Sequence, residues 1–180
     1  MNNWQQIDLE VLIYIQAHIR NIALDYIMIF FTKFGELGFC WILLSLVLLI
    51  NKKYRRVGFL TLVAIALGAI VGDIVLKHLV QRPRPFVAWP NISLIIKAPQ
   101  TFSFPSGHAL SSFAAATVLA KYLRPWAIPL FILAFLVAFS RVYLFVHYPS
   151  DVLVGAILGI LIGRLVISLA PPKIELMQGQ

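Results

Sequence analysis

Residues 126–146 have the sequence WAIPLFILAFLVAFSRVYLFV, and residues 152–170 have the sequence VLVGAILGILIGRLVISLA. Each stretch is long enough to cross the hydrocarbon core of a bilayer as an α-helix, which needs about 20 mostly apolar residues. Each contains a single charged residue, Arg141 in the first and Arg164 in the second. The two stretches therefore predict membrane-spanning helices.

The composition of the whole chain agrees with this prediction. Of its 180 residues, 61% are hydrophobic and only 12% are charged, whereas a soluble domain carries about 25% charged residues. This low charged fraction excludes a cytosolic enzyme and a disordered chain. A disulfide scaffold is excluded because the lone Cys40 can form no internal bridge. The sequence predicts an all-α, polytopic transmembrane helical bundle.

Further apolar runs raise the predicted number of spans to about six. Residues 58–80 form a third long run, and residues 106–120 form a shorter one behind a strong helix start. Residues 37–50 are too few for a span by themselves, so we expect this helix to extend back toward Lys33 or forward to Lys53.

The first predicted span is the least regular. The apolar residues of segment 7–31 are interrupted by His18, Arg20 and Asp25. The segment is either an amphipathic interfacial helix followed by a short span, or one tilted span. Residues 1–36 are therefore treated as an N-terminal interfacial or first-span region.

Basic residues predict the orientation of the bundle. The net charge is +8, which in a chain this apolar indicates cytoplasmic loops and anionic lipid rather than nucleic acid. Eight basic residues fall on one side of the predicted spans, which the positive-inside rule makes cytoplasmic. Segment 81–105, which is rich in proline and therefore in turns, and the turn 148–150 fall on the outer side. The eight are Lys52, Lys53, Arg55, Arg56, Lys121, Arg124, Arg164 and Lys173.

Ionisable residues gather at the outer ends of the predicted helices. Because such residues are costly in a bilayer, each is a candidate for function. Cations outnumber carboxylates here, so the predicted ligand is an anion, and arginine together with lysine suits phosphate. The same cations would repel a divalent ion, so neither a metal nor another cofactor is predicted. The residues are Lys77, Arg84, Arg141, His108, His147 and Asp151.

Two helix starts reinforce the anion site. Residues 104–108, Phe-Pro-Ser-Gly-His, are typical of a turn entering a helix, where free N–H groups bind anions. Ser106 or its neighbour can cap this helix, and Gly107 lets a ligand approach the backbone. At the next helix start, Asp151 follows His147 by four residues, so it either interacts with the helix dipole or orients the imidazole.

Structural roles are predicted for several other features. Asp73 lies one helical turn before Lys77 and is expected to pair with it. His78 is interpreted as a structural or interfacial histidine, and Arg82 as a solvated loop cation. Glycines at four-residue spacing predict close helix packing in the last span. They are Gly155, Gly159 and Gly163.

The polar residues also form a recognisable pattern that resembles the three-part signature of the type 2 phosphatidic acid phosphatase superfamily. The resemblance covers residues 58–170, and the small six-span form is similar to bacterial lipid phosphatases. It implies a single integral membrane phosphatase domain over residues 1–180 with its catalytic core at 58–170. The three parts are Lys77 with six residues before Arg84-Pro85, residues 105–108 (Pro-Ser-Gly-His), and Ser140-Arg141 with five residues before His147 and three more before Asp151.

The resemblance implies a role for each site residue. His147 would attack phosphorus to give a phosphohistidine, and Asp151 would orient it. His108 would protonate the leaving oxygen and then activate water. No metal or cofactor is implied. The phosphoryl oxygens would be held by Lys77, Arg84, Arg141, Ser106 and Gly107.

The expected protein is therefore a metal-independent lipid phosphatase of the inner (plasma) membrane with its active site on the outer face. Its expected partners are membrane lipids and a lipid phosphate substrate, with no obligate protein partner. Undecaprenyl diphosphate, cleaved to undecaprenyl phosphate, is the preferred substrate. Phosphatidylglycerophosphate, phosphatidic acid and a lipid A phosphate are alternatives. An anion transporter is the alternative from another class, but it gives no joint role to His108, His147 and Asp151. A haloperoxidase that binds vanadate is a further alternative, which the membrane composition disfavours.

Overall fold

A computed structural model describes residues 3–170 of the chain. Within that range the chain forms nine α-helices and no strand, which confirms the predicted all-α class. Lys173, one of the basic residues used for the orientation, lies outside the described residues. The helices are α1 (Asn3–Tyr14), α2 (Ile22–Phe34), α3 (Phe39–Ile50), α4 (Arg55–Ala69), α5 (Lys77–Val80), α6 (Pro85–Ala88), α7 (Gly107–Tyr122), α8 (Ala127–Tyr143) and α9 (Pro149–Leu169).

The structure has fewer candidate spans than the predicted six. Within residues 3–170, three helical stretches are long and apolar enough to cross a bilayer, namely Arg55–Ala88, Arg124–Tyr143 and Pro149–Leu169. A fourth is obtained if Ile22–Phe34 and Glu36–Ile50, which are bent by 46° at their junction, count as one broken span. Six spans are therefore not confirmed.

Helix α7, one of the six predicted spans, is too short to be among these candidates. It has 16 residues, which give a length of about 24 Å at 1.5 Å per residue, less than the hydrocarbon thickness of about 30 Å. Helices α4, α8 and α9 pack around it. Since it lies among other helices, α7 can bury polar groups such as Ser112, whose hydroxyl accepts a hydrogen bond from Trp41 Nε1 at 2.9 Å.

Helix α4 continues through a π-helical segment, Ile70–Leu76, into α5. The combined helix matches the predicted run 58–80. It ends at Gln81, whose backbone is left-handed with φ 49°, just before Pro83, which cannot continue a helix. Lys77 is thereby placed one turn before the helix end.

The N-terminal stretch forms two helices rather than one tilted span. Helix α1 continues as a π-helix to Ile19, and the helix ends at Arg20, whose backbone is extended. Asn21 then caps α2, because its side-chain oxygen accepts a hydrogen bond from Leu24 N at 3.0 Å. This matches the two-helix alternative in outline.

The glycines of α9 allow it to pack closely against α7. A Cβ atom on Gly155 would lie 2.7 Å from the carbonyl oxygen of Ser106, and one on Gly163 would lie 2.7 Å from Thr117 Cβ. The predicted close packing is confirmed. It brings the starts of both helices to one level, where Ser106 N donates to Asp151 O at 3.0 Å.

Segment 81–105 folds over the turn between α8 and α9. Most of it is irregular, as its prolines predict, but α6 adds one short helical stretch with Pro85 in its first turn. Phe86, Trp89 and Leu94 pack against a buried apolar cluster that includes Phe145 and Val146. This packing covers the segment that carries His147.

Candidate active site

A cavity of about 860 Å³ opens among α2, α4, α5, α7, α8 and segment 81–105. This volume is typical of a ligand site. All but two of the predicted site residues line it. The two exceptions, Ser106 and Asp151, are completely buried behind its wall, at 0% exposure. The predicted site residues that line it are Lys77, Arg84, Gly107, His108, Arg141 and His147.

His147 lies in a tight turn between α8 and α9. Phe145 takes a left-handed conformation with φ 60°, and the N–H groups of Val146 and His147 both donate to Arg141 O, at 3.1 and 3.2 Å. Pro149 then begins α9. The turn fixes the imidazole, which is only 2% exposed.

The two ring nitrogens of His147 have different neighbours. Nε2 lies 3.1 Å from Arg84 Nη1, and since a guanidinium only donates, Nε2 must accept. The ring proton is therefore on Nδ1, which lies 3.6 Å from Asp151 Oδ2, a separation longer than a hydrogen bond. The carboxylate favours this tautomer electrostatically, and Nε2 keeps a lone pair.

The imidazole of His147 is neutral at physiological pH. Its pKa is lowered to about 3, chiefly because burial disfavours the charged form. Asp151 opposes this effect, whereas Arg84 and Arg141 add to it. A neutral imidazole is the form that can act as a nucleophile.

Arg84 is held in place by segment 81–105 and by the turn that carries His147. It is 4% exposed, and each nitrogen of its guanidinium has a partner. The contacts are Nε to Thr101 O at 2.6 Å, Nη1 to Val146 O at 2.7 Å, and Nη2 to Thr101 Oγ1 at 3.1 Å and Phe102 O at 3.2 Å.

Arg141 and His108 meet at Thr32 of α2. Arg141 Nη1 donates to Thr32 Oγ1, and His108 Nε2 lies 3.2 Å from Thr32 O. A carbonyl oxygen only accepts, so Nε2 of a neutral His108 carries the proton and Nδ1 is its acceptor. Arg141 Nε is buried and has no hydrogen-bond partner among residues 3–170, which leaves it available to an anion.

The predicted ion pair between Asp73 and Lys77 is confirmed, with Lys77 Nζ 2.6 Å from Asp73 Oδ1. Lys77 Nζ also donates to Thr101 Oγ1 at 3.3 Å. His78, exposed beside it, has Nδ1 2.8 Å from Ile74 O in its own helix.

Ser106 and Gly107, at the start of α7, have different positions relative to the cavity. Ser106 Oγ accepts from Ala109 N at 3.4 Å and caps the helix. Its contact with an anion stays a prediction. Gly107 lies at the cavity wall, and a Cβ atom there would lie 3.0 Å from Asp73 Oδ1.

The interpretation of Arg82 as a solvated loop cation was wrong. Its side chain is only 19% exposed, and it pairs with Asp151 at 2.6 Å and Asp8 at 2.7 Å. Segment 81–105 folds against the start of α9 and against α1, so the guanidinium meets carboxylates from both helices.

Comparison with known proteins gives the family. The model of the PAP2 superfamily matches residues 56–175, more than half of the chain. This chain belongs to the PAP2 superfamily. The resemblance predicted from the three motifs is thus confirmed.

Related sequences carry phosphatase names. The chain is 35% identical over 138 residues to an undecaprenyl-diphosphatase of Sulfolobus acidocaldarius, an alignment that covers 76% of this chain and 66% of that protein. It is 39% identical over 136 residues to the decaprenylphosphoryl-5-phosphoribose phosphatase of Mycobacterium tuberculosis, covering 75% of this chain and 74% of that protein.

A solved PAP2 structure has the same fold. The crystal structure of a transmembrane PAP2 type phosphatidylglycerolphosphate phosphatase from Bacillus subtilis superposes with a TM-score of 0.75 at 27% identity, covering 93% of this chain and 86% of that one. Together with its apolar helices, these relatives make the chain a membrane-embedded PAP2 lipid phosphatase, a hydrolase that acts on phosphoric ester bonds.

Sequence reasoning missed several polar residues of this PAP2 site. Thr32 is a polar residue inside an apolar helix, a weak signal that could have identified it. Thr101 and Ser103 lie in an irregular segment, where spacing carries no information about contacts. Ser103 Oγ donates to Asp151 Oδ2 at 2.5 Å. Asp8 lies outside the part of the chain that the family model matches.

The side chains around the PAP2 cavity suit an anion. Five cations border it against two carboxylates; the cations are Lys33, Lys77, Arg84, Lys97 and Arg141, and the carboxylates are Glu36 and Asp73. Among residues 3–170, no group of three or more histidine, cysteine, aspartate or glutamate side chains could hold a metal ion.

Proposed function

We propose that this PAP2 phosphatase hydrolyses a lipid phosphate or diphosphate through a phosphohistidine at His147, without a metal ion. One observation carries the proposal. His147 Nε2 has a lone pair at the wall of a cationic cavity, 3.1 Å from Arg84 Nη1, while Asp151 lies behind the other ring nitrogen. This is the arrangement of an oriented nucleophile beside an oxyanion-binding group.

The reaction has two displacements at phosphorus. In the first, His147 Nε2 forms a bond to phosphorus as the bond to the lipid oxygen breaks, and His108, which enters this step protonated on both ring nitrogens, gives that oxygen the proton of Nδ1 and becomes neutral. In the second, His108 takes a proton from water, whose oxygen attacks phosphorus as the P–N bond breaks. Inorganic phosphate leaves, and His147 returns to its starting form.

The cations bind the equatorial oxygens through both steps. Lys77, Arg84 and Arg141 supply the charge that stabilises the transferring phosphoryl group, and the backbone N–H of Gly107 supplies a further donor. Ser106 is proposed to join them through the helix start that it caps.

The preferred substrate is undecaprenyl diphosphate, cleaved to undecaprenyl phosphate. The name of the Sulfolobus acidocaldarius relative supports this choice. The Mycobacterium tuberculosis relative favours a second candidate, a phosphorylated sugar on a polyprenyl phosphate. Phosphatidylglycerophosphate is supported by the solved Bacillus subtilis structure, and phosphatidic acid and a lipid A phosphate are the remaining alternatives.

The proposal extends to the organisation of the protein. Residues 1–180 form one phosphatase domain whose catalytic core is 58–170, and no obligate protein partner is needed. The enzyme lies in the inner (plasma) membrane with its cavity on the outer face. The distribution of basic residues in the sequence supports this orientation.

The nucleophile is tested by comparing His147→Ala with His18→Ala. Purified protein is assayed with a strong chelator on a panel of lipids: undecaprenyl diphosphate, a polyprenyl-phosphate-linked phosphosugar, phosphatidylglycerophosphate, phosphatidic acid and a lipid A phosphate. We expect His147→Ala to lower kcat by several orders of magnitude, since covalent catalysis is lost. His18 is exposed, has Nδ1 3.2 Å from Tyr14 O of its own helical stretch and does not line the cavity; it is the control and should keep near wild-type activity.

Three results would contradict this proposal. Inversion at a chiral thiophosphate would indicate direct attack by water rather than two displacements. Loss of activity in chelator with recovery in magnesium would require a metal. Anion flux through vesicles without hydrolysis of any lipid would favour the transporter. The fastest lipid in the wild-type panel identifies the substrate.

A further inference from the structure

The carboxylate that faces the proposed nucleophile is held mainly by residues at positions that the three motifs do not specify. Asp151 Oδ2 accepts hydrogen bonds from Ser103 Oγ at 2.5 Å and from Tyr148 N at 3.0 Å. Asp151 Oδ1 accepts from Arg82 Nη1 at 2.6 Å. Arg82 is therefore the cation that contacts Asp151 on the side away from His147.

Arg82 is in turn fixed at several points. Its Nη2 donates to Asp8 Oδ2 at 2.7 Å, and its Nη1 also donates to Ser150 Oγ at 2.8 Å. The guanidinium carbon lies 3.8 Å from the centre of the Tyr148 ring, within the range of a cation–π contact. One forked side chain thus joins the carboxylates of Asp8 and Asp151, which a point charge on lysine could not do with the same geometry.

Asp8 brings helix α1 into this network. It is only 4% exposed, and it accepts hydrogen bonds from Ser150 N at 2.9 Å and from Ser150 Oγ. Further along the same helix, Leu12 is completely buried in the apolar cluster of the His147 turn, and Gln16 Nε2, in the π-helical extension, donates to Tyr143 O at 2.8 Å. Helix α1 therefore lies directly on the turn that carries the nucleophile.

We infer that Asp8 and Arg82 are positioning residues for catalysis, because they set the place of Asp151 and through it the orientation of His147. This inference rests on the proposed function of His147. It assigns a catalytic contribution to helix α1, which lies outside residues 56–175 matched by the family model.

The inference predicts a defect in turnover rather than in anion binding. In Asp8→Asn and Arg82→Gln, the cations of the cavity stay in place, so KM and inhibition by inorganic phosphate should change by less than about threefold. A displaced nucleophile should lower kcat, since misplacement by about 1 Å can cost about 10²-fold. We expect a loss of about tenfold for Asp8→Asn and about 10²-fold for Arg82→Gln. Arg82→Lys should retain more activity than Arg82→Gln.

Inhibition by vanadate distinguishes a positioning role from a purely structural one. It binds as an analogue of the in-line transition state and so depends on the nucleophile, whereas phosphate depends on the cations. Inhibition by vanadate should weaken in parallel with kcat, with phosphate inhibition unchanged. In the double variant Asp8→Asn/Arg82→Gln the loss should not exceed that of Arg82→Gln, because Asp8 acts through Arg82.

The matched control is Asp25→Asn. Asp25 also belongs to the N-terminal region and also pairs with an arginine, Arg20, at 3.4 Å, but its contacts do not include Asp151. It should keep wild-type kcat and wild-type vanadate inhibition.

Several results would overturn the inference. One is an unchanged kcat in folded Asp8→Asn and Arg82→Gln, and another is equal weakening of vanadate and phosphate inhibition. If neither variant folds, the network serves folding alone and the inference is also wrong. A wild-type protein that hydrolyses no lipid phosphate would instead contradict the proposed function, and this is decided before any variant is compared.

Discussion

Asp73, a carboxylate beside the anion site, is expected to affect how tightly this enzyme binds phosphate, its product. Asp73 Oδ1 lies 2.6 Å from Lys77 Nζ, and it would lie 3.0 Å from a Cβ atom on Gly107. A phosphate dianion bound by Lys77 and the start of α7 would be repelled by this negative charge, and Asp73 would compete for the same ammonium group. We therefore expect Asp73 to limit how tightly phosphate is held.

Replacing Asp73 by asparagine should tighten inhibition by phosphate. Because the side chain is partly exposed, the repulsion that is removed is modest, about 1 kcal/mol, which corresponds to about a fivefold lower inhibition constant. Phosphate inhibition of Asp73→Asn and of Glu10→Gln, an exposed carboxylate on α1, would be measured side by side. Weaker inhibition in Asp73→Asn would show instead that Asp73 is needed to hold Lys77 in place.

For individual residues, the sequence predicted which side chains lie together at the site but not which neighbours hold those side chains in place. Lys77, Arg84, His108, Arg141 and His147 could be predicted because each lies at the end of an apolar run, and these ends meet at one level. The partners of Arg82 could not be predicted, since Asp8 is 74 residues away in the chain. Only the folded path of segment 81–105 brings the two together.

Among the helices, the close packing of α9 was the easier feature to predict, although not its partner α7. Glycines at four-residue spacing mark a helix face without side chains, and in the structure this face lies in close contact with α7. The broken α2–α3 region was harder, because Leu37 and Gly38 both take left-handed conformations, with φ 51° and 72°. No local pattern requires such a conformation of leucine.

Gly159→Ala should test the contact between α7 and α9. The added Cβ would overlap the Leu110 carbonyl oxygen and would lie 2.9 Å from Ala114 N. Backbone atoms cannot move aside as a flexible side chain can, so we expect a loss of about 1–3 kcal/mol in unfolding free energy, seen as a lower thermal midpoint in detergent. Ala66→Val, which adds methyl groups at an exposed position of α4, should have little effect. An unchanged midpoint in Gly159→Ala would mean that the two helices can separate without cost.

For the whole molecule, composition predicted the class and the membrane environment, whereas the six spans predicted from apolar runs are not confirmed. Helix α7, predicted as a span, has only 16 residues and packs among other helices. The proposed position of the cavity on the outer face rests on the basic loops. Positively charged residues such as Lys52 and Arg124 lie in connections distant in sequence from the three motifs.

The proposed orientation can be tested with an impermeant thiol reagent on intact cells. A cysteine replacing Asn91, exposed in segment 81–105, should be labelled, and one replacing Lys52 should be labelled only after lysis. The wild-type chain is a suitable background because its one cysteine, Cys40, is buried. The opposite pattern would place the cavity on the cytoplasmic face, where the enzyme would draw on the inner leaflet.

The hydrogen bond from Arg84 to His147 has a consequence for selectivity toward reagents other than the substrate. Arg84 Nη1 occupies the lone pair of Nε2 at 3.1 Å while also donating to Val146 O. An anionic phosphoryl oxygen is a stronger acceptor than a neutral imidazole, so we expect an arriving phosphate group to draw the guanidinium away and to free the nitrogen that is proposed to attack it. Uncharged electrophiles offer no such competition, and we expect Nε2 to stay hydrogen-bonded and unreactive toward them.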